Sequence, residues 1–322
     1  MVKVLISGSG TATCQGVIKG LLKSSKKHDV EIHTMDTNPL SAGRFFGDKF
    51  HKIPPAGEEG FINAVKDIVI KEKINIIFPI VDYEFEKLTL AIECFEKHGC
   101  KIVISPISSI TICQDKRETF KFFMALSIPS PKTESFCRDN LSHFKYPVIV
   151  KPAKGRASID VFKISNYREA DCILDKNLEE MIVQEYISGD EITIDFVCDF
   201  NGSLLACVPR YRVETKSGVS YKGVTFYDPE IIDYVQKIVN KLDYIGPGNI
   251  QCFKTNKGYQ FIEINPRFSG GLPLSIEAGM NSPEMMVNLY MGEDVKPSIG
   301  KYKQGLYMMR YWEEVFIDEN NY

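Results

Sequence analysis

The stretch Asn249-Ile250-Gln251-Cys252-Phe253-Lys254, then Asn256-Lys257-Gly258, then Tyr259-Gln260-Phe261-Ile262-Glu263-Ile264-Asn265-Pro266-Arg267, sets the reading of the whole chain. Residues 249–254 and 259–265 read as two strands, and the Asn-Lys-Gly between them is turn chemistry. Glu263 and Asn265 lie two apart and so share one face of their strand. If the turn is a three-residue loop with Gly258 left-handed, residues 255 and 259 pair and Gln251 lies opposite Glu263. Three oxygen donors, one of them a carboxylate, then converge on one patch of sheet. Magnesium takes such donors and keeps part of its shell for water and substrate phosphate. Arg267 is placed just beyond to neutralise a transferring phosphate. Pro266 ends the strand, and Phe268-Ser269-Gly270-Gly271 continues as a glycine-rich loop of the kind that meets ligands. By itself this hairpin is equally well a solvated strand face. Its weight comes from what precedes it.

Upstream, Tyr146-Pro147-Val148-Ile149-Val150-Lys151-Pro152 is an apolar strand ending in a lysine, a cation that needs a partner when buried. Lys154-Gly155-Arg156-Ala157-Ser158 follows at once, short, polar and hinged by glycine, able to fold its amides over phosphates. Lys116 opens a helix expected over residues 115–126 and could add a second charge, although alone it reads as a surface residue. Gln184-Glu185-Tyr186-Ile187-Ser188-Gly189-Asp190-Glu191 follows another apolar strand. It reads either as a plain turn or as a hinge presenting backbone to a base, with a carboxylate for ribose hydroxyls.

The first third alternates strands and helices: strands over 2–6, 30–35, 74–80 and 101–105, helices over 16–22, 61–71 and 84–97. That alternation implies βαβ crossovers and a parallel sheet. Gly8, Gly10 and Gly16 tempt toward a dinucleotide fingerprint, but the third glycine arrives three residues late. Asp36 could hold a ribose, yet any doubly wound sheet puts a polar residue there, so a nicotinamide dehydrogenase is set aside. Asp82 and Glu84 are expected to line a cleft from this domain or simply to start a helix. After residue 112 strands dominate, with expected strands at 148–151, 161–164, 181–186, 191–198 and 204–209. A helix follows Asp228-Pro229-Glu230 to about residue 242, and another opens at Ser282-Pro283 and stops at Gly292. Residues 211–224 are read as a pocket-lining loop.

The 322 residues allow two or three domains, and a net charge of −3 gives no reason to expect nucleic acid or an anionic membrane. No run of 18 or more apolar residues is present. Nine cysteines, scattered singly, argue against a disulfide framework or a zinc site and point to free thiols in the cytoplasm.

Taken in order, these pieces resemble the ATP-grasp superfamily, most closely one synthetase unit of the carbamoyl-phosphate synthetase large subunit, over about residues 1–295. The resemblance implies an α/β plus α+β fold: a doubly wound pre-ATP-grasp domain (1–112) followed by a two-lobed ATP-grasp fold. Its N-terminal lobe (113–188) would carry the phosphate loop and its C-terminal lobe (189–300) the metal site, leaving a tail (301–322). It implies ATP and one or two Mg²⁺, with Mn²⁺ as an alternative. Lys116 and Lys151 would contact phosphates, with Lys154, Gly155, Arg156 and Ser158 in the closing loop. Glu185, Tyr186 and Ile187 would meet adenine and Glu191 the ribose. Gln251, Glu263 and Asn265 would carry metal. Arg267, Arg210 and Lys151 would serve catalysis, Arg210 facing the γ-phosphate and substrate carboxylate. The loop departs from the family pattern at Ala157 and Ile159-Asp160. The implied reaction is carboxylate–amine ligation through an acyl phosphate, with small-molecule acid and amine substrates and a homodimer as the default assembly. The competing readings are a carboxylate kinase that stops before ligation and an ATP-binding sensor without turnover. A second synthetase unit is absent from these residues, which argues against carbamoyl phosphate synthesis by this chain alone.

Overall fold

The computed structural model describes residues 1–155, 159–174, 180–216 and 218–318. Its first body holds strands β1 (Val2–Ser7), β2 (Val30–Asp36), β3 (Lys49–Lys52), β4 (Ile76–Phe78) and β5 (Lys101–Ile102). All pair in parallel, in the order β3-β2-β1-β4-β5. Helices α1 (Ala12–Lys23), α2 (Phe61–Glu72), α3 (Phe85–Leu90), α4 (Ile92–Glu96) and α5 (Ile107–Gln114) connect and flank them. The central strand shows why: Val4, Leu5 and Ile6 are all fully buried, so both faces of the sheet are covered. The order reverses direction between β1 and β4, which opens a crevice at their C-terminal ends.

Two expectations are corrected here. The helix expected over 84–97 is a 3-10 turn (Asp82–Glu84), then α3 and α4 separated at Ala91. Helix α1 starts earlier than residue 16 because Thr11 caps it, its side chain accepting from the Cys14 amide. Gly16 therefore lies inside α1, where a Cβ would press against Pro273. It serves helix packing and not a phosphate turn.

The middle body contains α6 (Lys116–Ala125), β6 (Thr133–Ser135), α7 (Arg138–Leu141), β7 (Val148–Pro152), β8 (Phe162–Ile164), α8 (Tyr167–Leu174) and β9 (Met181–Glu185). Its strands form an antiparallel sheet in the order β6-β9-β7-β8. Val148, Val150 and Val183 point into a core with α7 and α8. By the two-residue period, Ile149 and Lys151 face the other way.

The last body is built from β10 (Asp190–Cys198), β11 (Leu204–Lys216), β12 (Val219–Thr225), α9 (Pro229–Val239), β13 (Gly246–Thr255), β14 (Gly258–Asn265), α10 (Leu272–Ala278), α11 (Ser282–Tyr290) and β15 (Tyr307–Met309). Six strands lie antiparallel in the order β14-β13-β10-β11-β12-β15. Ile192, Ile194, Phe196 and Ile250 pack on Phe123 of α6 and Val235 of α9. A second core joins Val4, Ile6, Val17 and Phe78 of the parallel sheet to Val208, Phe268, Leu272 and Met286. The first and last bodies are thus continuous in their packing.

The loop expected over 211–224 is instead a long β11–β12 hairpin, with the 204–209 strand extended to Lys216. Ser217 lies outside the described residues. Part of the expected tail is also structured: β15 extends the sheet, and the Arg310 guanidinium donates to the carbonyls of Ser220 and Gly270.

Candidate functional site

A cavity of about 550 Å³ opens between the four-stranded and six-stranded sheets, walled at one end by the β1–α1 and β4–α3 connections. That volume lies in the range of small-molecule sites. Its floor is one face of the six-stranded sheet. Gln251 pairs across the ladder with both Glu263 and Thr193, and Thr193 with Arg210, so these four residues form one row. Asn265, Asn249 and Asp195 form the next row, likewise paired. Glu191 and Arg212 stand on the other side of the first row, their side chains 2.6 Å apart.

The opposition of Gln251 and Glu263 holds, but not through the expected turn. Thr255 pairs with Gly258 (φ +104°), so the loop has two residues, and a bulge then places Cys252 opposite Phe261 but Gln251 opposite Glu263. Ile262 is the extra residue; one residue fewer in the turn is offset by one more in the strand. Asn265 Nδ2 donates to Glu263 Oε1 at 3.0 Å and to Asn249 Oδ1 at 3.2 Å. Burial opposes ionisation of Glu263, yet Lys116, Lys151, the Asn265 amide and Arg267 outweigh it and hold the carboxyl below its ordinary range.

The roof supplies cations. Lys151, at the end of β7, is 8 % exposed and donates to Gln184 Oε1 at 2.8 Å. Burial pushes its pKa down to about 8, with Lys116 adding to this and Glu263 across the cleft opposing it. Lys116, on the first turn of α6, donates to the Gly155 carbonyl at 3.0 Å. Glu185, Tyr186 and Ile187 line the same cavity where the chain passes from one sheet to the other. The Glu185 amide donates to Lys132 O at 2.9 Å, and Lys163 Nζ sits 3.9 Å from the Tyr186 ring centre. Glu191 has its carboxyl raised by burial, although Arg212 pulls the other way.

At the end wall Arg267 Nε lies 3.4 Å from Asp82, and its other nitrogens reach Asn265 Oδ1 and the Phe268 carbonyl. Arg210 also lines the cavity, with most of its guanidinium engaged by protein groups. It is 2 % exposed, and its guanidinium bonds both oxygens of Asp195 at 3.2 Å, Ser220 and Ser269. A Cβ on Gly271 would overlap the Arg210 guanidinium, so the glycine-rich loop passes directly against it. Arg210 therefore both lines the cavity and acts as a strut under the glycine-rich loop, its charge answered by Asp195.

Two family models match the sequence: PylC-like, N-terminal domain, over residues 4–103, and ATP-grasp in the biosynthetic pathway with Ter operon, over residues 177–313. The biotin carboxylase domain of the 2-oxoglutarate carboxylase of Hydrogenobacter thermophilus, a dimer in complex with MgADP, ADP and bicarbonate, superposes with TM-score 0.76. It is 16% identical, over 95% of this chain and 73% of that one. Residues 177–313 thus match an ATP-grasp family model, and the chain as a whole has the ATP-grasp fold. N5-carboxyaminoimidazole synthetase of Staphylococcus aureus, complexed with ADP, shares that ATP-grasp architecture at TM-score 0.75 and 15% identity, over 94% of this chain and 80% of that one. The L-amino acid ligase of Bacillus licheniformis does so at 0.70 and 14%, over 92% and 78%.

Within this ATP-grasp fold the cavity brings together Lys116, Lys151, Gly155, Glu185, Tyr186, Ile187, Glu191, Arg210, Gln251, Glu263, Asn265 and Arg267, all singled out from sequence. Lys154 is exposed and does not line it, and Arg156 and Ser158 lie outside the described residues. Asp82 lines the wall, whereas Glu84 is buried beside Ser7, its pKa pushed up to about 8 by burial. Sequence reasoning missed Arg212, Thr193 and Asn249. Their signal was polar residues at every second position, Glu191-x-Thr193-x-Asp195 and Arg210-x-Arg212, on strands whose intervening positions are apolar or aromatic. No described helix is long and apolar enough to cross a membrane, and the nine cysteines are unpaired.

Proposed function

We propose that this ATP-grasp chain is an ATP-dependent carboxylate–amine ligase, and that the observation carrying this reading is the meeting of Glu263, Asn265 and Gln251 on the floor with Lys116 and Lys151 on the roof. The floor set fits magnesium: one ionised carboxylate and two amide oxygens, all hard donors in two adjoining rows, with open cavity above for water and phosphate oxygens. When bound, the metal neutralises phosphate charge during transfer. The hinge residues Glu185, Tyr186 and Ile187 would take the base, Glu191 the ribose, and Lys116 and Lys151 the phosphates. The Gln251, Glu263 and Asn265 combination is what favours kinship with a carbamoyl-phosphate synthetase unit over other ATP-grasp branches.

The chemistry follows from position and charge. A carboxylate oxygen of the acid attacks the γ-phosphorus of ATP, the bond to the β-phosphate oxygen breaks, and ADP leaves. An amine nitrogen then attacks the acyl carbon and inorganic phosphate departs. Arg267, steadied by Asp82 and Asn265 at the end wall, sits where charge on the acyl phosphate would develop. No side chain in the cavity is an evident general base, so catalysis rests on alignment and neutralisation.

The test is ADP release from MgATP across a panel of carboxylic acids, each with and without an amine mixture, beside Glu263→Ala. Release that needs both acid and amine and disappears in the variant establishes the ligase. Release with acid alone makes the protein a carboxylate kinase. Nucleotide binding with no release in any combination makes it a sensor.

A further inference from the structure

Among the described residues five cations stand in or under the cleft, and four of them have partners other than Glu191, the carboxylate assigned to ribose, and Gln251. Lys116 holds backbone carbonyls, Lys151 holds Gln184, Arg210 holds Asp195, and Arg267 holds Asp82 and Asn265. Asn265 is also assigned to metal, but there Asp82 supplies the charge. Arg212 differs. Its Nη1 donates to Glu191 at 2.6 Å and to Gln251 Oε1 at 2.9 Å, the residues assigned above to ribose and to metal. Its Nη2 donates to the Gly218 carbonyl at the tip of the β11–β12 hairpin, at 2.7 Å. Its Nε is buried and has no partner among the described residues, although the side chain is only 7 % exposed.

We propose that Arg212 is a cation held in reserve, which the loaded cleft hands over from Glu191 and Gln251 to an incoming oxyanion. The inference rests on the nucleotide reading above and adds to it. If ribose hydroxyls engage Glu191 and a divalent cation takes Gln251, the guanidinium must share the first and give up the second of the two side-chain acceptors that it has among the described residues. It does so on the cavity wall, where its side chain is only 7 % exposed and faces the space that a ligand would fill. A buried guanidinium that shares its one counter-charge and loses an acceptor is left partly unsatisfied, which is costly in a low-dielectric site. The loaded state is therefore completed by an anion, and a planar fork with an unused Nε suits two oxygens of one group. Phosphate and carboxylate share that chemistry: the γ-phosphate of ATP and the carboxylate of the acid are the two sources. The bond to Gly218 gives the exchange a second effect, since it links the hairpin tip to whichever partner Arg212 holds.

The experiment is calorimetric titration of the full chain and of Arg212→Gln and Arg212→Lys with MgADP and with the magnesium complex of β,γ-imido-ATP. Melting temperatures check folding. If the γ-phosphate is the anion, the wild type prefers imido-ATP by about tenfold or more. Arg212→Gln then loses that preference while keeping or improving its MgADP affinity, and Arg212→Lys, which keeps the charge but not the fork, recovers part of it. If the preference survives in Arg212→Gln but KM for the acid rises about tenfold at unchanged KM for ATP, the acid carboxylate is the anion. Equal weakening of both nucleotides, or no change in either arm, overturns the proposal and leaves Arg212 as a support for Glu191 and Gln251. Should Arg212→Gln not fold, the same ratios in Arg212→Lys decide. Failure of the wild type to bind either nucleotide refutes the nucleotide reading itself, and this proposal with it.

Discussion

Asp36 and Glu263 are both carboxylates at strand ends, each beside a glycine-bearing connection, and they are used in opposite ways. Asp36 closes β2 beneath the Gly8–Gly10 turn. Its oxygens accept from the amides of Gly10 at 2.9 Å and Asn38 at 3.0 Å, with Ser9 and Thr37 at 3.5 Å. The acceptor capacity is taken up by the loop's own backbone, and a ribose would have to displace it. Glu263 has a single side-chain amide from Asn265 and otherwise faces lysines across open space. What separates an organising carboxylate from a ligand-binding one is therefore the direction its remaining lone pairs face. The local motif around it does not decide this.

The contrast can be broken most severely from below. Asp195→Ala removes the counter-charge of a guanidinium that is 2 % exposed and should lower stability by about 3–5 kcal/mol, read from denaturant midpoints. A cost under about 1 kcal/mol would show that the Arg210 row is not a strut. Glu263→Gln keeps the shape and removes the charge. It should depress ADP release by about 10²–10³-fold, and a near-normal rate would make Glu263 a second Asp36.

Lys151 sharpens the same comparison through pH. Its folded pKa of about 8 lies below its ordinary 10.5, so the unfolded chain holds the proton more tightly between those values. Protein stability consequently gains from this group as pH rises across that window, while the cation needed for phosphate is lost. MgADP affinity should fall by up to about tenfold per pH unit above 8, with proton uptake on binding measurable in buffers of different ionisation enthalpy. Lys151→Arg should flatten the profile. The smallest effect belongs to the other carboxylate: Asp36→Ala should lower stability by about 1 kcal/mol and leave MgADP affinity unchanged. Weakened nucleotide binding there would mean that the first body's crevice takes part in it.

The parallel sheet was legible because apolar strands and amphipathic helices alternate, and the metal-type face was legible because strand parity survives small errors. The turn and the bulge at Ile262 cancelled; either alone would have turned Glu263 from the Gln251 face. The β11–β12 hairpin was hidden by its composition. Thr215, Lys216, Gly218 and Ser220 read as loop, yet they belong to a ribbon held by cross-strand pairs such as Glu214 with Lys222 at 2.7 Å. Arg210 shows a different limit. Residue type and spacing placed it in the right row, but Asp195, which neutralises it, lies one row away on a neighbouring strand and only the fold brings it there.

The chain passes from the four-stranded to the six-stranded sheet through residues 186–189, and the Glu185–Lys132 hydrogen bond lays residues 130–132, which lead from α6 into β6, beside that passage. Mechanically this is a door hung on one narrow pin. A swing of the four-stranded leaf would turn a handful of backbone dihedrals and leave the ladder bonds within each sheet in place, but would work against the bond from the Lys116 amide to the Ala153 carbonyl, since α6 packs on the six-stranded frame. Gly189, where a Cβ would overlap the Lys254 carbonyl, is clamped to the six-stranded frame, so the pin must turn on its near side. Lys151 rides on the moving leaf and Glu263 on the frame, and the gap between them is a natural gauge of how far the door stands open.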